Sequence, residues 1–508
     1  MPHCPQSCLN RTALAGCSAV ALVLAGGLAP ARAGGPQSVL EPNSLFLSSS
    51  TYDRTRGAIA SLKVGSTLPN SATKTTKAVA GNNYVTTWKN ASVDGSYGIT
   101  SAIQLTDIDP ATGTVFATID LPPDQVVTSF SSKSELGLHL SAEPDRHLVF
   151  VAYAGAGVGA LDVSNSDAVA GQDPTNPVTF AFGLNYAFAR TIVSMDAAGN
   201  LSYTPTIDYG GNNGRSALLA KNDLYYAVGN ANNGNAAIFG SGNGTNPDVT
   251  ETTGLEVVNP IDAASPAVTI PAGNSAEVDP LVQFVVNGKP DKAGKDNNYR
   301  GLLEYKGALY FTKGSGSNGV DTVYTVPELP EVATAAAATI SIVPGFPTDF
   351  AKVTGGNFTP FSVFFADPHT MYVTDEGTGN ATDATTNAGL QKWRLVHDTW
   401  QLDYVLRAGL IGTTDTGLTG YDGQYPDVTS IGLRGLTGVV NDDGTVTLWA
   451  TTSTSSASGD NGADPNKVVT ITDLLSARTL TGAVAAEAFQ TVVGPTYGTV
   501  YRGVAYVK

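Results

Sequence analysis

"RGLLEYKGALYFTKGSGSNGVDTVYTV", Arg300 to Val326, is the stretch whose reading decides the fold. An apolar run, "GLLEY", meets the polar turn "KG", and a second β-rich run, "ALYFTK", follows. A Gly/Ser/Asn loop then leads to a third run, "VDTVYTV". β-Branched and aromatic residues in short runs, separated by turn formers, predict antiparallel strands rather than helix. The same plan recurs in "RSALLAKNDLYYAVGNANNG" from Arg215, "FSVFFADPHTMYVTDEGTGN" from Phe361 and "RGLTGVVNDDGTVTLWATTS" from Arg434. It is also present in "SELGLHLSAEPDRHLVFVAYAGAGVGALDVS" from Ser134, and third runs such as "GLQKWRLV" and "NKVVTITD" complete the later units. The units lie roughly 60 to 85 residues apart, with the longest insertion between about Asn230 and Asp291.

Repeated units of three or four antiparallel strands predict an all-β chain forming a single β-propeller. The final residues, "YRGVAYVK", have the first-strand pattern with nothing after them. "NSLFLSSSTYDRTRGAIASLKV", from Asn43, has the second and third strands with no first strand before them. Together they make one blade, so strand Arg502–Val507 is expected to pair with Ser44–Ser50 and close the ring. A degenerate unit at Tyr84–Leu121 brings the count to seven blades, with six or eight left open. A pair of β-sandwiches is the competing reading, and it leaves the matching half-units unexplained.

The phrases "SSKSELGLHLS", "KDNNYRG", "TKGSGSNGVDTVY" and "SGDNGADPNKVVTITD" resemble those of a group of secreted bacterial and fungal propeller-like proteins of no established activity. The resemblance extends over most of the chain beyond residue 33. It implies the fold and an extracellular location, and it transfers no catalytic residue.

Residues 1–33 read as a secretory signal: Arg11, the apolar run "ALAGCSAVALVLAGGLA" and the small-residue site "ARA" ending at Ala33. Residues 34–43 read as a short flexible segment and 44–508 as the propeller. Cys4, Cys8 and Cys17 all precede Ala33, so the exported chain holds no disulfide, zinc–thiolate site or cysteine nucleophile. Removing Arg11 and Arg32 leaves 26 basic against 44 acidic residues, a net charge of −18. Such acidity argues against nucleic acid and anionic membranes as partners. No other apolar run is long enough to span a bilayer, and the expected product is a secreted or periplasmic monomer.

Several familiar motifs fail in context. "GSGSNG" at Gly314 is followed by a strand rather than a helix, so it reads as a loop and not a dinucleotide site. "NDDGTVTLW" at Asn441 reads as a hairpin with Asp-Gly at its tip. His139, His147, His369 and His397 share no metal-ligand spacing, and no cofactor is identified. Asp107, Asp109, Asp460 and Asp464 offer oxygens to calcium but lack an EF-hand pattern, which leaves turns as the default reading.

The arginines at the heads of the repeats need an explanation in a chain with so little positive charge. Aligned repeats put Lys133, Arg215, Arg300, Arg434 and Arg502 at the leading ends of innermost strands, where Phe361 replaces the arginine in one unit. Loops between second and third strands add Asn230, Lys313, Asp375 and Glu376 on the same face. Cations about 8 Å apart at an effective dielectric near 20 repel by about 2 kcal/mol per pair. Two readings stay open. Carboxylates, with Glu135, Asp296, Asp375, Glu376 and Asp427 available, form blade-to-blade clamps, or the cations hold a carboxylate or phosphate ligand. The functional expectation is a binding or scaffold propeller for an anionic small molecule or glycan. The alternative is an extracellular enzyme, a uronic-acid lyase or phosphoester hydrolase, with His139 or Tyr299 as base.

Overall fold

The computed structural model describes residues 38–508 apart from 54, 62, 64, 72–73, 78–98, 143, 156, 161–189, 207, 210–211, 231–252, 269, 281–284, 287–288, 291–296, 317, 355–356, 380–386, 421–422, 458–461, 483 and 485–486. The expected signal segment 1–33 lies outside the described residues. Short antiparallel sheets make up the chain, and the helical turns Ala58–Ser61, Ala335–Ala337 and Ala351–Thr354 are brief.

In the stretch from Arg300, Leu302–Tyr305 pairs with Ala308–Lys313, which pairs with Thr322–Val326 and then Ser341–Ile342. Lys306 and Gly307 both have positive φ, as a two-residue hairpin with the twist of its strands requires. His397 and Asp398 do the same between Gly389–Val396 and Thr399–Leu406. Further sheets follow the same order. One runs from Gly214–Leu219 to Ser275–Glu277 and another from Pro360–Asp367 to Thr399–Leu406. A third runs from Val428–Val440 to Gln490–Val493, with Thr414–Asp415 on its other edge.

Thr67–Ser71 with Lys74–Lys77, Val285–Val286 with Lys289–Pro290, and Thr419–Gly420 with Gly423–Gln424 form separate two-stranded sheets, and the other strands join in one nine-stranded sheet. Within it Thr499–Val507 pairs with Ser44–Thr51, which pairs with Thr100–Ile108 and then Val115–Asp120. A second run passes from His139–Leu140 through His147–Ala154 and Arg190–Asp196 to Leu201–Thr206. Val126–Ser129 bridges the two. The unit expected at Tyr84–Leu121 therefore contributes strands to the sheet of Ser44–Thr51, and its residues 84–98 lie outside the described ones.

Innermost strands touch one another in propeller-like order. His139–Leu140 lies against Gly214–Leu219, then come Leu302–Tyr305, Pro360–Asp367, Val428–Val440 and Thr499–Val507, which returns to His139–Leu140. Apolar clusters fill the seams between neighbouring sheets. Phe365, Met371, Trp393 and Trp400 pack against Val323, and Leu45, Leu47 and Val504 pack against Trp449. Strands such as Tyr225–Gly229 and Thr370–Asp375 are buried at every residue because sheets cover both faces, so their polar–apolar alternation is lost.

A belt of hydroxyls stitches the inner strands together. The Gly301 amide donates to Thr312 Oγ1 at 3.0 Å, and that hydroxyl donates to the Phe361 carbonyl of the next sheet at 2.7 Å. Thr374 links the Ser362 amide to the Arg434 carbonyl, Thr451 links Gly435 to Arg502, and Ser48 links Gly503 to Leu136. The strands approach so closely here that a Cβ on Gly301 would collide with the Phe361 carbonyl, and one on Gly503 with Leu136 and Leu138.

Candidate functional site

The hydroxyl belt fixes the register of the innermost strands. Arg215, Arg300, Phe361, Arg434 and Arg502 each precede a small residue (Ser216, Gly301, Ser362, Gly435 and Gly503) that lies against a neighbouring strand. Just ahead of strand His139–Leu140 the equivalent pair is Leu136–Gly137, and the Gly137 amide donates to the Arg215 carbonyl at 3.1 Å. Lys133 therefore lies three residues ahead of the position that the aligned repeats give it, and its longer reach brings it back to the same face.

Glu376 is the hub of that face. It follows strand Thr370–Asp375, its amide donates to Thr359 O at 3.0 Å, and its carbonyl accepts from Ser453 Oγ. Gly377, with φ of +75°, supplies the left-handed turn that a side chain resists. Glu376 Oε1 accepts from Lys133 Nζ at 2.8 Å and Arg300 Nη1 at 2.6 Å, and Oε2 accepts from Arg434 Nε at 3.1 Å. The repeat that lacks the arginine is thus the one that supplies the counter-charge. Glu376, Arg300 and Arg434 are buried, whereas 36% of the Lys133 side chain is exposed.

The electrostatics follow from this geometry. Burial alone would raise the Glu376 pKa, but Arg300, Lys133 and Arg434 outweigh it and hold the carboxyl well below its usual range. Desolvation and the two guanidiniums push Lys133 down to about 8, against the pull of Glu376. Burial also lowers Arg434, and burial together with Arg300 lowers Arg215. Both stay charged because guanidinium releases its proton only in strong base.

The other expected site residues divide among separate roles. Arg215 donates to Asn298 Oδ1 and, at 2.8 Å, to the Tyr299 carbonyl. Arg502 binds the carbonyls of Phe130 and Gly462 and reaches Ser50 Oγ at 3.3 Å. Lys313, fully buried, pairs with Asp321 at 2.7 Å and donates to Ser315 O. Asp375 turns back into its own sheet, accepting from Thr359, from the Gly377 amide and from Gln391. Glu135 takes bonds from Thr128, the Ser129 amide, Tyr153 and Asn213, Asp427 is exposed, and Asp296 lies outside the described residues. Asp321, Ser315 and the hydroxyl belt escape sequence reasoning, since single Asp, Ser and Thr residues carry no signal in a chain rich in them.

Behind the hub lies a cavity of about 210 Å³ lined by the innermost strands. Arg300 and Arg502 stand on its wall, with Leu138, Leu302, Val363 and Val504 beside them. His139 also lines it. Its Nε2 lies 2.7 Å from Ser216 Oγ, and burial pushes its pKa down to about 4, so the ring is neutral at pH 7. Tyr299 is wholly buried, its ring against Phe311 and Tyr324.

Asp109 caps a turn, accepting from the amides of Ala111 and Thr112. Asp464 accepts from Tyr425 and Ser456, Asp107 is pushed up to about 7 by burial, and Asp460 lies outside the described residues. Among the described residues no three His, Cys, Asp or Glu side chains form a group able to hold a metal, and no helix is long and apolar enough to cross a membrane.

No family model and no curated protein matches the chain. Among solved structures it is similar to a chain of an S. cerevisiae assembly, a Dbp5 variant bound to Nup159, a Gle1 variant, IP6 and ADP. The TM-score is 0.25 and the identity 7%, over 74% of this chain and 70% of that one. Similarity at that level carries no argument about function.

Proposed function

We propose that this protein is an exported, six-bladed binding propeller that takes a small anionic group at the cation-rich mouth of its channel. Six blades is the reading supported by the contacts among innermost strands, which pass through six strands before reaching His139–Leu140 again, and by the apolar clusters between neighbouring sheets. This is one blade fewer than the repeat pattern alone suggests, since Thr100–Ile108 and Val115–Asp120 serve as outer strands of the blade that Thr499–Val507 and Ser44–Thr51 begin. Export rests on the signal-like residues 1–33.

One observation carries the ligand reading. Three cations converge on the single carboxylate of Glu376, and one of them, Lys133, reaches solvent. An incoming carboxylate or phosphate would share these donors and offset the surplus of positive charge. The enzymatic alternative loses one of its two candidate bases, because Tyr299 sits in an aromatic core.

The test is a calorimetric and glycan-array screen of anions on the purified protein, repeated with Lys133→Ala. The variant should bind the best anion about tenfold more weakly, on the order of 1.5 kcal/mol for a charge-assisted hydrogen bond. Its melting temperature should change little, because the pair is partly exposed. Absence of anion binding by the parent protein sinks the proposal.

A further inference from the structure

The lysine–carboxylate pairs inside this fold are not alike. Lys313 pairs with Asp321 at 2.7 Å, Lys392 with Asp473 at 2.9 Å and Lys467 with Asp415 at 3.0 Å. Each of these bridges joins one ammonium to one carboxylate, and all three lysines are buried. Lys133 instead shares Glu376 with Arg300 and Arg434, and its side chain is partly exposed. Three positive charges meet one negative charge there, a surplus of two.

The loop that carries Lys133 is pinned. Arg502 donates to the Phe130 carbonyl and, at 2.9 Å, to that of Gly462, and the Ser132 amide donates to Ser129 O at 3.3 Å. A Cβ on Gly462 would collide with the Ser131 carbonyl, so the two backbones lie flush. The amine is thereby held 2.8 Å from Glu376 Oε1 at the edge of the cluster. Desolvation and the two guanidiniums push it down to about 8. At pH 7 that leaves about one amine in ten neutral, against fewer than about one in a thousand for an ordinary lysine.

A neutral amine beside excess positive charge suits a reagent whose addition leaves a negative charge behind. Resting on the same surplus of charge as the anion-site reading, we propose that Lys133 is a modification site whose Nζ takes up dissolved carbon dioxide and holds it as a carbamate. The nitrogen lone pair forms a bond to the carbon, and a C–O π pair moves onto oxygen. The nitrogen then releases a proton to water, because Glu376 is held too acidic to keep it. Counted from the ammonium, two protons leave and one carbon dioxide adds, so the side chain passes from +1 to −1. Two positive charges then face two negative ones. The carbamate nitrogen keeps one N–H with which to donate to Glu376, and the added group asks for little room beside a partly exposed side chain.

The test incubates the purified protein with carbon-13 bicarbonate at pH 7.5, ethylates any carbamate with triethyloxonium, and maps the label by peptide mass spectrometry. Label on Lys133 should exceed that on the exposed Lys306 or Lys352 by about tenfold or more. It should fall by about tenfold or more at pH 6 under the same carbon dioxide pressure, as the amine protonates. Lys133→Arg keeps the positive charge and should lose that label alone. Absence of label at Lys133, or equal label on the exposed lysines, overturns the inference. Calorimetric titration with sulfate and acetate in carbonate-free buffer separates the two readings. Anion binding without the label removes the carbamate and leaves the anion site standing, whereas label without anion binding does the reverse. The label is mapped on the unaltered protein, so the outcome stands whether or not Lys133→Arg folds.

Discussion

Two devices join the inner strands of this ring, and they differ in kind. The Glu376 hub draws Lys133, Arg300 and Arg434, from separate repeats, onto one carboxylate. The hydroxyl belt, one residue further along the same strands, repeats a small neutral link from sheet to sheet through Thr312, Thr374, Thr451 and Ser48. Charge concentrates coupling at a point, because removing the shared carboxylate leaves three cations uncompensated. Neutral links spread it, because each hydroxyl satisfies its own amide and carbonyl alone. A propeller-like arrangement of sheets can therefore share its seams equally in one layer and depend on a single side chain in the next.

The largest effect should come from breaking the hub. Glu376→Gln leaves buried Arg300 and Arg434 without their counter-ion, and should lower stability by about 3–5 kcal/mol. Denaturant unfolding measures it, and a loss under about 1 kcal/mol would mean that the cations are satisfied in some other way. Adding Arg300→Met to Glu376→Gln should recover part of the loss, since the pair is strongly non-additive.

Thr451→Val tests the belt. It removes one hydroxyl from beneath the Gly435 amide and the Arg502 carbonyl, and should cost about 1–2 kcal/mol. Combined with Thr374→Val the losses should add to within about 0.5 kcal/mol. Strong coupling between these two neutral sites would erase the contrast with the hub.

Acid titration gives the smallest and sharpest distinction. His139 has a folded pKa of about 4, below its ordinary 6.5, so its contribution is present above pH 6.5 and lost as pH falls toward 4. Glu376 is also held below its ordinary value of 4.5, so its contribution is present above pH 4.5 and lost only as pH falls through its much lower folded value. His139→Gln should flatten the upper window and leave the lower one intact, while Glu376→Gln should do the reverse. Thr451→Val should leave both slopes unchanged, as melting temperatures across the range will show.

Much of the fold is legible in the chain itself. The two-residue turn at Lys306–Gly307 and the loop at Gly314 fall where the repeat of Arg300–Val326 puts them, because turn chemistry and strand composition are local. The antiparallel pairing of Thr499–Val507 with Ser44–Thr51 follows from matching two half-patterns. Sheet membership is not local, and nothing within Thr100–Asp120 declares whether those strands begin a sheet or extend one. At the site, arginine stands out because it is scarce. Glu376 stands beside Asp375 as an equal candidate, and only the packing of Gly377 and Ser453 turns one carboxylate outward to three cations and the other inward to Thr359. The offset of Lys133 arises because matching charges across repeats ignores the small residue that follows each arginine.

That small residue also bears on how tightly a ring of such sheets can close. Gly301, Gly435 and Gly503 let adjacent innermost strands lie backbone to backbone, and any side chain there would wedge them apart. Spacing between strands sets the circumference, and circumference sets how many segments fit before the first meets the last. One atom-sized choice, repeated around the axis, thus acts as a gauge for copy number.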